Sequence, residues 1–291
     1  MMINRFFQTL FTLAKVALKS KYILRLEKSA QKDMIVLGNG PSLQQDILNN
    51  REIFEKSELA VVNHFCHSEF FFQLKPKNYF LLDPAFFNQP FIEPVEKTFR
   101  ILTEDVNIDW NITFYIPWSS RKSSFVKVLG AKKNFNIQFT NYVTAKGGFP
   151  GINHMLYDWN LAMPQCQNVV VYTLFLATKL DVKRIYLFGA ENNWHATVKV
   201  NKENFLVLTD LHLYEEKKEH TERILGDPNN PAKRTTMVVL LESSLKVFKG
   251  YQEISNYART KRIKVYNCSK NSLIDSFDRL NDDEFRQIIH S

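Results

Sequence analysis

The chain has 291 residues, of which 45% are hydrophobic and 13% aromatic, enough to fill a large core. That excludes global disorder and fits one large α/β domain with an appendage, or two small domains. Residues 1–32 hold seven Lys or Arg against Glu27, a net +6 out of the total +8, which leaves +2 for the body; no nucleic-acid partner is expected, because a basic face for nucleic acid would spread over the folded body.

The first element is an arm, residues 1–32. Phe7, Leu10, Phe11, Ala14, Ala17 and Leu18 fall at helical spacing and predict an amphipathic basic helix. Lysines interrupt the segment, so it holds no run of about 18 apolar residues to span a bilayer. Lys15 also breaks the apolar region that a signal peptide needs. Two readings follow: a helix lying on an anionic membrane surface, or one packing on the body or on another copy in a homo-oligomer.

Residues 33–291 read as alternating α/β. Short apolar runs predict strands at 34–37, 59–62, 79–82, 99–102, 112–116, 185–188 and 263–266, and such runs suit strands buried on both faces. Helices are predicted at 43–49, 168–180 and 236–261, the last with a core-facing stripe of Leu241, Leu245, Phe248, Tyr251, Ile254 and Ala258. The stretch from about 191 to 235 is polar and too long for an ordinary connector, so it is expected to be a lid or a small insertion subdomain. Cys66, Cys166 and Cys268 form no Cys-x-x-Cys pair, which fits a reducing compartment. The expected location is the cytoplasm, either throughout it or peripheral on the inner face of the cell membrane.

The sharpest local signal is "IVLGNGPSL". Gly38 and Gly40 would permit positive φ and a close backbone approach to a ligand, Pro41 presets a first helical turn, and Ser42 can cap exposed amides. A strand–turn–helix of this kind binds anions where the amides point outward. It is neither a Walker A loop nor Gly-x-Gly-x-x-Gly, and a turn without a ligand is the alternative.

"IVLGNGPSL", "AVVNHF", "YFLLDPAFF", "LDVKRIYLFGAE" and "IKVYNCSKNSLIDSF" stand in that order between about residues 33 and 278. Together they resemble the bacterial sialyltransferases of glycosyltransferase family 42. They also look like distant relatives described as motility-associated or pterin-pyrophosphokinase-like proteins. The resemblance implies a Rossmann-like, mostly parallel sheet flanked by helices, with a lid. It implies an inverting, metal-independent transfer from a CMP-activated sugar, which is a donor substrate rather than a cofactor. The acceptor would be a glycan or lipid-linked glycan of the bacterial surface.

On this resemblance, Gly38, Asn39, Gly40 and Ser42 hold the cytidine nucleotide and Asn63 contacts the nucleotide-sugar. Asp83 stands where the family usually has an asparagine. Asn168 opens a helix whose start contacts phosphate in the family, and Gly189 ends the strand that carries Tyr186. Tyr186 matches a tyrosine that donates to the leaving phosphate; a core aromatic on a strand is its alternative. The family's second catalytic tyrosine is replaced by Asn192, Asn193 and Trp194, so either an asparagine takes over its role or the help comes from elsewhere, with Tyr214 as the candidate. Asn271 and Ser272 would touch the nucleotide or donor, or else cap a helix.

The reaction needs a base near neutral pH, and histidine suits it. The candidates are His64, His67, His154, His195, His212, His220 and His290. His212 in "DLHLYEE" resembles the family's base, with His195 second. No Asp-x-Asp is present, so no metal is expected. Two rival readings remain. One is a pyrophosphokinase-like enzyme using ATP and magnesium at Asp83 and Glu191. The other is a membrane-associated scaffold without chemistry.

Overall fold

The structure, a computed structural model, describes residues 2–22, 26–104, 107–208, 223–226 and 234–290. Strand β1 (Asp33–Leu37) buries Met34 through Leu37 completely, as a strand covered on both faces requires. It pairs in parallel with β2 (Glu58–Val62) on one side and β6 (Arg184–Phe188) on the other. Beyond β2 lie β3 (Asn78–Phe80), β4 (Ile112–Pro117) and β5 (Phe135–Thr140); beyond β6 lie β10 (Lys264–Asn267) and β11 (Asp278–Arg279). Every pairing in this eight-stranded sheet is parallel. The fold is Rossmann-like: the alternating pattern predicts its α/β class, and the family resemblance its mostly parallel sheet.

Successive side chains of β1 and β6 point to opposite faces. Ile35, Leu37, Tyr186 and Phe188 meet α2 (Leu43–Asn49), α3 (Arg51–Lys56), α4 (Phe70–Leu74), α5 (Glu93–Glu104), α6 (Ser124–Gly130) and α10 (Asp282–Ile289). Met34, Val36, Ile185 and Leu187 meet α7 (Pro150–Asp158), α8 (Val169–Ala177) and α9 (Met237–Thr260). Helix α8 lies within this layer and buries seven of its nine residues, so it is apolar all round. At the N-terminal edge of the sheet, Arg184 grips Asp33 through two bonds of 2.7 and 2.6 Å. These two residues are register partners, so the bidentate pair fixes β6 against β1.

Several elements differ from expectation. Residues 99–102 belong to α5, not to a strand. Val95, Thr98 and Leu102 are its buried positions, at helical steps that the short apolar run concealed. Strand β5 was not predicted, because Asn136 and Gln138 break up its apolar residues. Leu241 and Leu245 of the α9 stripe are exposed, whereas Tyr251, Ile254 and Ala258 are buried.

Within the 191–235 stretch, β7 (Val198–Val200), β8 (Leu206–Leu208) and β9 (Arg223–Ile224) form a small antiparallel sheet. The amphipathic helix α1 (Met2–Lys19) is present in the arm. Its Gln8 and Thr9 side chains accept hydrogen bonds from the backbone N–H groups of Gly148 and Phe149, at 2.9 and 3.0 Å. Among the described residues, no helix is long and apolar enough to cross a membrane. All three cysteines are buried thiols.

Candidate functional site

The chain runs outward from β1 to β5 on one side, then returns to place β6 on the other. The strand order therefore reverses between β1 and β6. Open α/β sheets bind ligands outside the carboxyl ends of the strands at such a point. A cleft of about 560 Å³ lies there, lined by Asn39, Gly40, Asn63, Asp83, Asn168 and Gly189 among others. Six of the residues singled out from the sequence thus meet at one place. Gly38, Ser42, Tyr186, Asn271 and Ser272 are not among its lining residues.

The Gly-Asn-Gly-Pro-Ser turn works differently from the expectation. Gly38 and Gly40 do not have positive φ; among these glycines that conformation belongs to Gly189, at +63°. What Gly38 and Gly40 provide is close approach to the end of β6. A Cβ on Gly38 would lie 2.2 Å from the Gly189 carbonyl oxygen, and one on Gly40 would lie 1.6 Å from Glu191 Oε2. The amides are already engaged. Gly38 N–H donates to the Phe188 carbonyl and Gly40 N–H to the Gly189 carbonyl, both at 2.9 Å. Ser42 N–H donates to Glu191 Oε1 at 3.0 Å. A carboxylate from this chain thus occupies the head of α2, where a phosphate was expected. The Ser42 side chain makes no cap and instead donates to Asp46 Oδ2 at 3.3 Å. Asp46 is fully buried and bridged by Lys270 Nζ at 3.0 Å; burial pushes its carboxyl pKa up.

The two cleft asparagines differ from the turn. Asn39 Nδ2 donates to the Val62 carbonyl at 3.1 Å, which leaves Asn39 Oδ1 as a buried acceptor with no partner among the described residues. Asn63 sits in the left-handed region at φ 43°, and its Oδ1 is likewise buried and unpaired among them. Few buried polar atoms in native proteins lack partners, so these two oxygens call for a donor.

Other predicted residues have structural duties. Asn168 caps α8: its Oδ1 accepts from Val171 N–H at 2.9 Å. Asp83 is exposed and accepts from Ala85 N–H at 2.9 Å, capping a short 3₁₀ turn. Ser272 donates to the Ala190 carbonyl at 2.8 Å and so ties its loop to the end of β6. No helix follows Asn271 directly, and Asn271 takes a left-handed turn at φ 53°.

Tyr186 is a correction. It is wholly buried at mid-strand, stacked on Tyr266 and edge-on to Phe285, away from the cleft. Strand alternation sends its side chain to the α10 face of the sheet, so it belongs to the core. His212 and Tyr214 lie outside the described residues. His195 falls in the 3₁₀ turn Trp194–Ala196.

The cleft wall also holds His64, His67 and Lys97. His64 Nδ1 and His67 Nε2 lie 2.7 and 2.9 Å from Thr98 Oγ1. Thr98 Oγ1 also donates to the Pro94 carbonyl at 3.0 Å, so one hydroxyl ties both rings to α5. Burial first, then His64 and Lys97, lower the His67 pKa to about 4. The clue in the sequence was "NHFCH" directly after a buried strand, with two histidines one helical turn apart.

No family model and no curated protein matches the chain. Among solved structures, the chain is similar to the MAf glycosyltransferase from Magnetospirillum magneticum AMB-1, at 12% identity and a TM-score of 0.48. The match covers 97% of this chain but only 41% of that one. A likeness at that level decides neither the fold nor the activity.

Proposed function

We propose that the chain is an inverting, metal-independent glycosyltransferase. It takes a CMP-activated sugar, a sialic acid or a related nonulosonic or keto-deoxy sugar, and modifies a glycan of the bacterial surface. The main support is the pair of unpaired oxygens, Asn39 Oδ1 and Asn63 Oδ1, in the switch-point cleft. A buried acceptor left unsatisfied costs about 1–3 kcal/mol, which a cytosine amine or a sugar hydroxyl would recover on binding. The choice of cytidine rests on the resemblance of the surrounding motifs to family 42.

In this reading the acceptor hydroxyl oxygen attacks the anomeric carbon opposite the phosphate. The new C–O bond forms as the anomeric C–O bond to phosphate breaks, and CMP leaves with the electron pair. The hydroxyl proton passes to a base. His212 is the proposed base, and His64 on the cleft wall is its rival. Glu191 already fills the head of α2. The leaving phosphate therefore lies nearer the first turn of α8, where Val169 and Val170 line the cleft with Lys97. Closure of the 191–235 insertion would exclude water, which otherwise hydrolyses the donor.

The charge of the cleft favours a second reading. Asp83, Glu93 and Glu191 line it against Lys97, a balance that suits ATP carried with magnesium in a pyrophosphokinase-like reaction. One assay separates the two: CMP-sugars with an acceptor panel, and ATP with magnesium, each with and without a chelator. Sugar transfer that persists in chelator supports the first reading. Turnover of ATP alone, abolished by chelator, supports the second.

A further inference from the structure

Helix α1 sits on the body the wrong way round for an ordinary surface helix. Thr9, Thr12 and Val16 face inward and are buried. Phe6, Phe7, Leu10, Phe11 and Leu18 face solvent, with Phe11 70% and Leu18 82% exposed. An amphipathic helix normally buries its apolar stripe. Here the hydrogen bonds of Gln8 and Thr9 to the 148–149 backbone hold the polar face down and leave the apolar face outward.

A second exposed apolar face adjoins it. Val238, Leu241 and Leu245 of α9 are exposed although they lie on a long amphipathic helix. Leu245, Phe7 and Phe11 line one groove of about 1000 Å³ between the two helices. Four lysines line the same groove: Lys15, Lys146, Lys246 and Lys249. None of them has an ion pair among the described residues, although Glu242 and Glu253 also line it. Burial first, then Lys146 and Lys19, lower the Lys15 pKa, as expected where cations crowd together.

We propose that α1 and the first half of α9 form one docking surface for an anionic lipid bilayer, with the apolar faces entering the headgroup boundary and the groove lysines meeting lipid phosphates. Exposed apolar faces beside a groove that sets four lysines against two glutamates suit such a surface. The charge selects the occupant. A two-fold contact through α1 would set one net +6 arm against another, whereas an anionic surface neutralises both. Docking of this kind is independent of what the switch-point cleft holds.

Sedimentation of the full chain with phosphatidylglycerol–phosphatidylethanolamine vesicles tests this. Binding is expected, with at least a tenfold loss on phosphatidylcholine vesicles and a marked loss in 0.5 M salt. Phe7→Asp with Phe11→Asp should weaken binding tenfold or more. Leu241→Asp with Leu245→Asp should also weaken it, as should Lys246→Glu with Lys249→Glu. All of these positions are on the surface, so unchanged thermal melts will confirm that the variants fold. Failure to bind anionic vesicles overturns the proposal. So does α9-variant binding equal to wild type. A concentration-dependent dimer lost on Phe11→Asp, without lipid binding, overturns it in favour of a second copy.

Discussion

Glu191 and Ser42 share the space at the head of α2 that the sequence pattern offered to a phosphate. Gly40→Ala should drive a Cβ into Glu191 Oε2 and break that contact, costing about 1–3 kcal/mol in chemical denaturation. Glu191→Gln keeps an oxygen to accept from Ser42 N–H and should cost under about 1 kcal/mol; equal losses for the two variants would show that the contact is not the reason for the glycine. His67 adds a pH dependence. Its pKa of about 4 in the fold lies below the ordinary 6.5, so between those values the unfolded chain binds more protons. Its contribution to stability is complete above pH 6.5 and is lost as pH falls toward 4. His67 is only half-buried, so the effect should be on the order of 1 kcal/mol. Melts at pH 7 and pH 4.5 should show a smaller difference for His67→Gln than for wild type, and an identical difference would contradict the assignment. At this scale Asn39, Asn63 and Asn168 reach the cleft wall and Asn271 does not, and the glycines were misread as positive-φ positions. Residue type offered the close approach of residues 38–42 to a ligand, whereas in the fold it is made to the end of β6, where a carboxylate 149 positions away meets Ser42.

Helix α8 shows what was legible in an element. Its apolar sequence and its Asn168 start marked it out, and the side chain of Asn168 caps it as the N-cap rule expects. Asn168→Ala should therefore lower stability by about 1 kcal/mol, which is about 2 °C in melting temperature for a chain of this size. Asn168→Asp keeps the accepting oxygen and should lose much less; a larger loss for Asp than for Ala would mean that the side-chain amide, not the cap, matters. Strands β1, β2 and β6 were legible because two-sided burial leaves unbroken apolar runs, and β4 and β10 because single polar residues, Thr113 and Lys264, interrupt theirs only briefly. Helix α5 was misread as a strand because four apolar-rich residues cannot distinguish the two periods. Strand β5 escaped notice because it lies at the sheet edge, where Asn136 and Gln138 are tolerated.

For the whole molecule, strand order decides where chemistry can occur. A reversal between β1 and β6 opens the cleft at the ends of those two strands, and Asn39, Asn63 and Gly189 are brought there by topology rather than by proximity in the chain. The alternating pattern made that sheet readable. The orientation of α1 was not readable, because periodicity gives an apolar face without saying which way it turns. The central claim is that the cleft takes a cytidine nucleotide through the two unpaired asparagine oxygens. Titrating CMP into the full chain by calorimetry tests it directly, with AMP and UMP as controls. The account predicts CMP binding at millimolar or tighter affinity, preferred over AMP and UMP, and weakened about five- to tenfold by Asn39→Ala, the loss of one net hydrogen bond of about 1 kcal/mol. No heat from CMP at millimolar concentration, or binding that Asn39→Ala leaves unchanged, would contradict it.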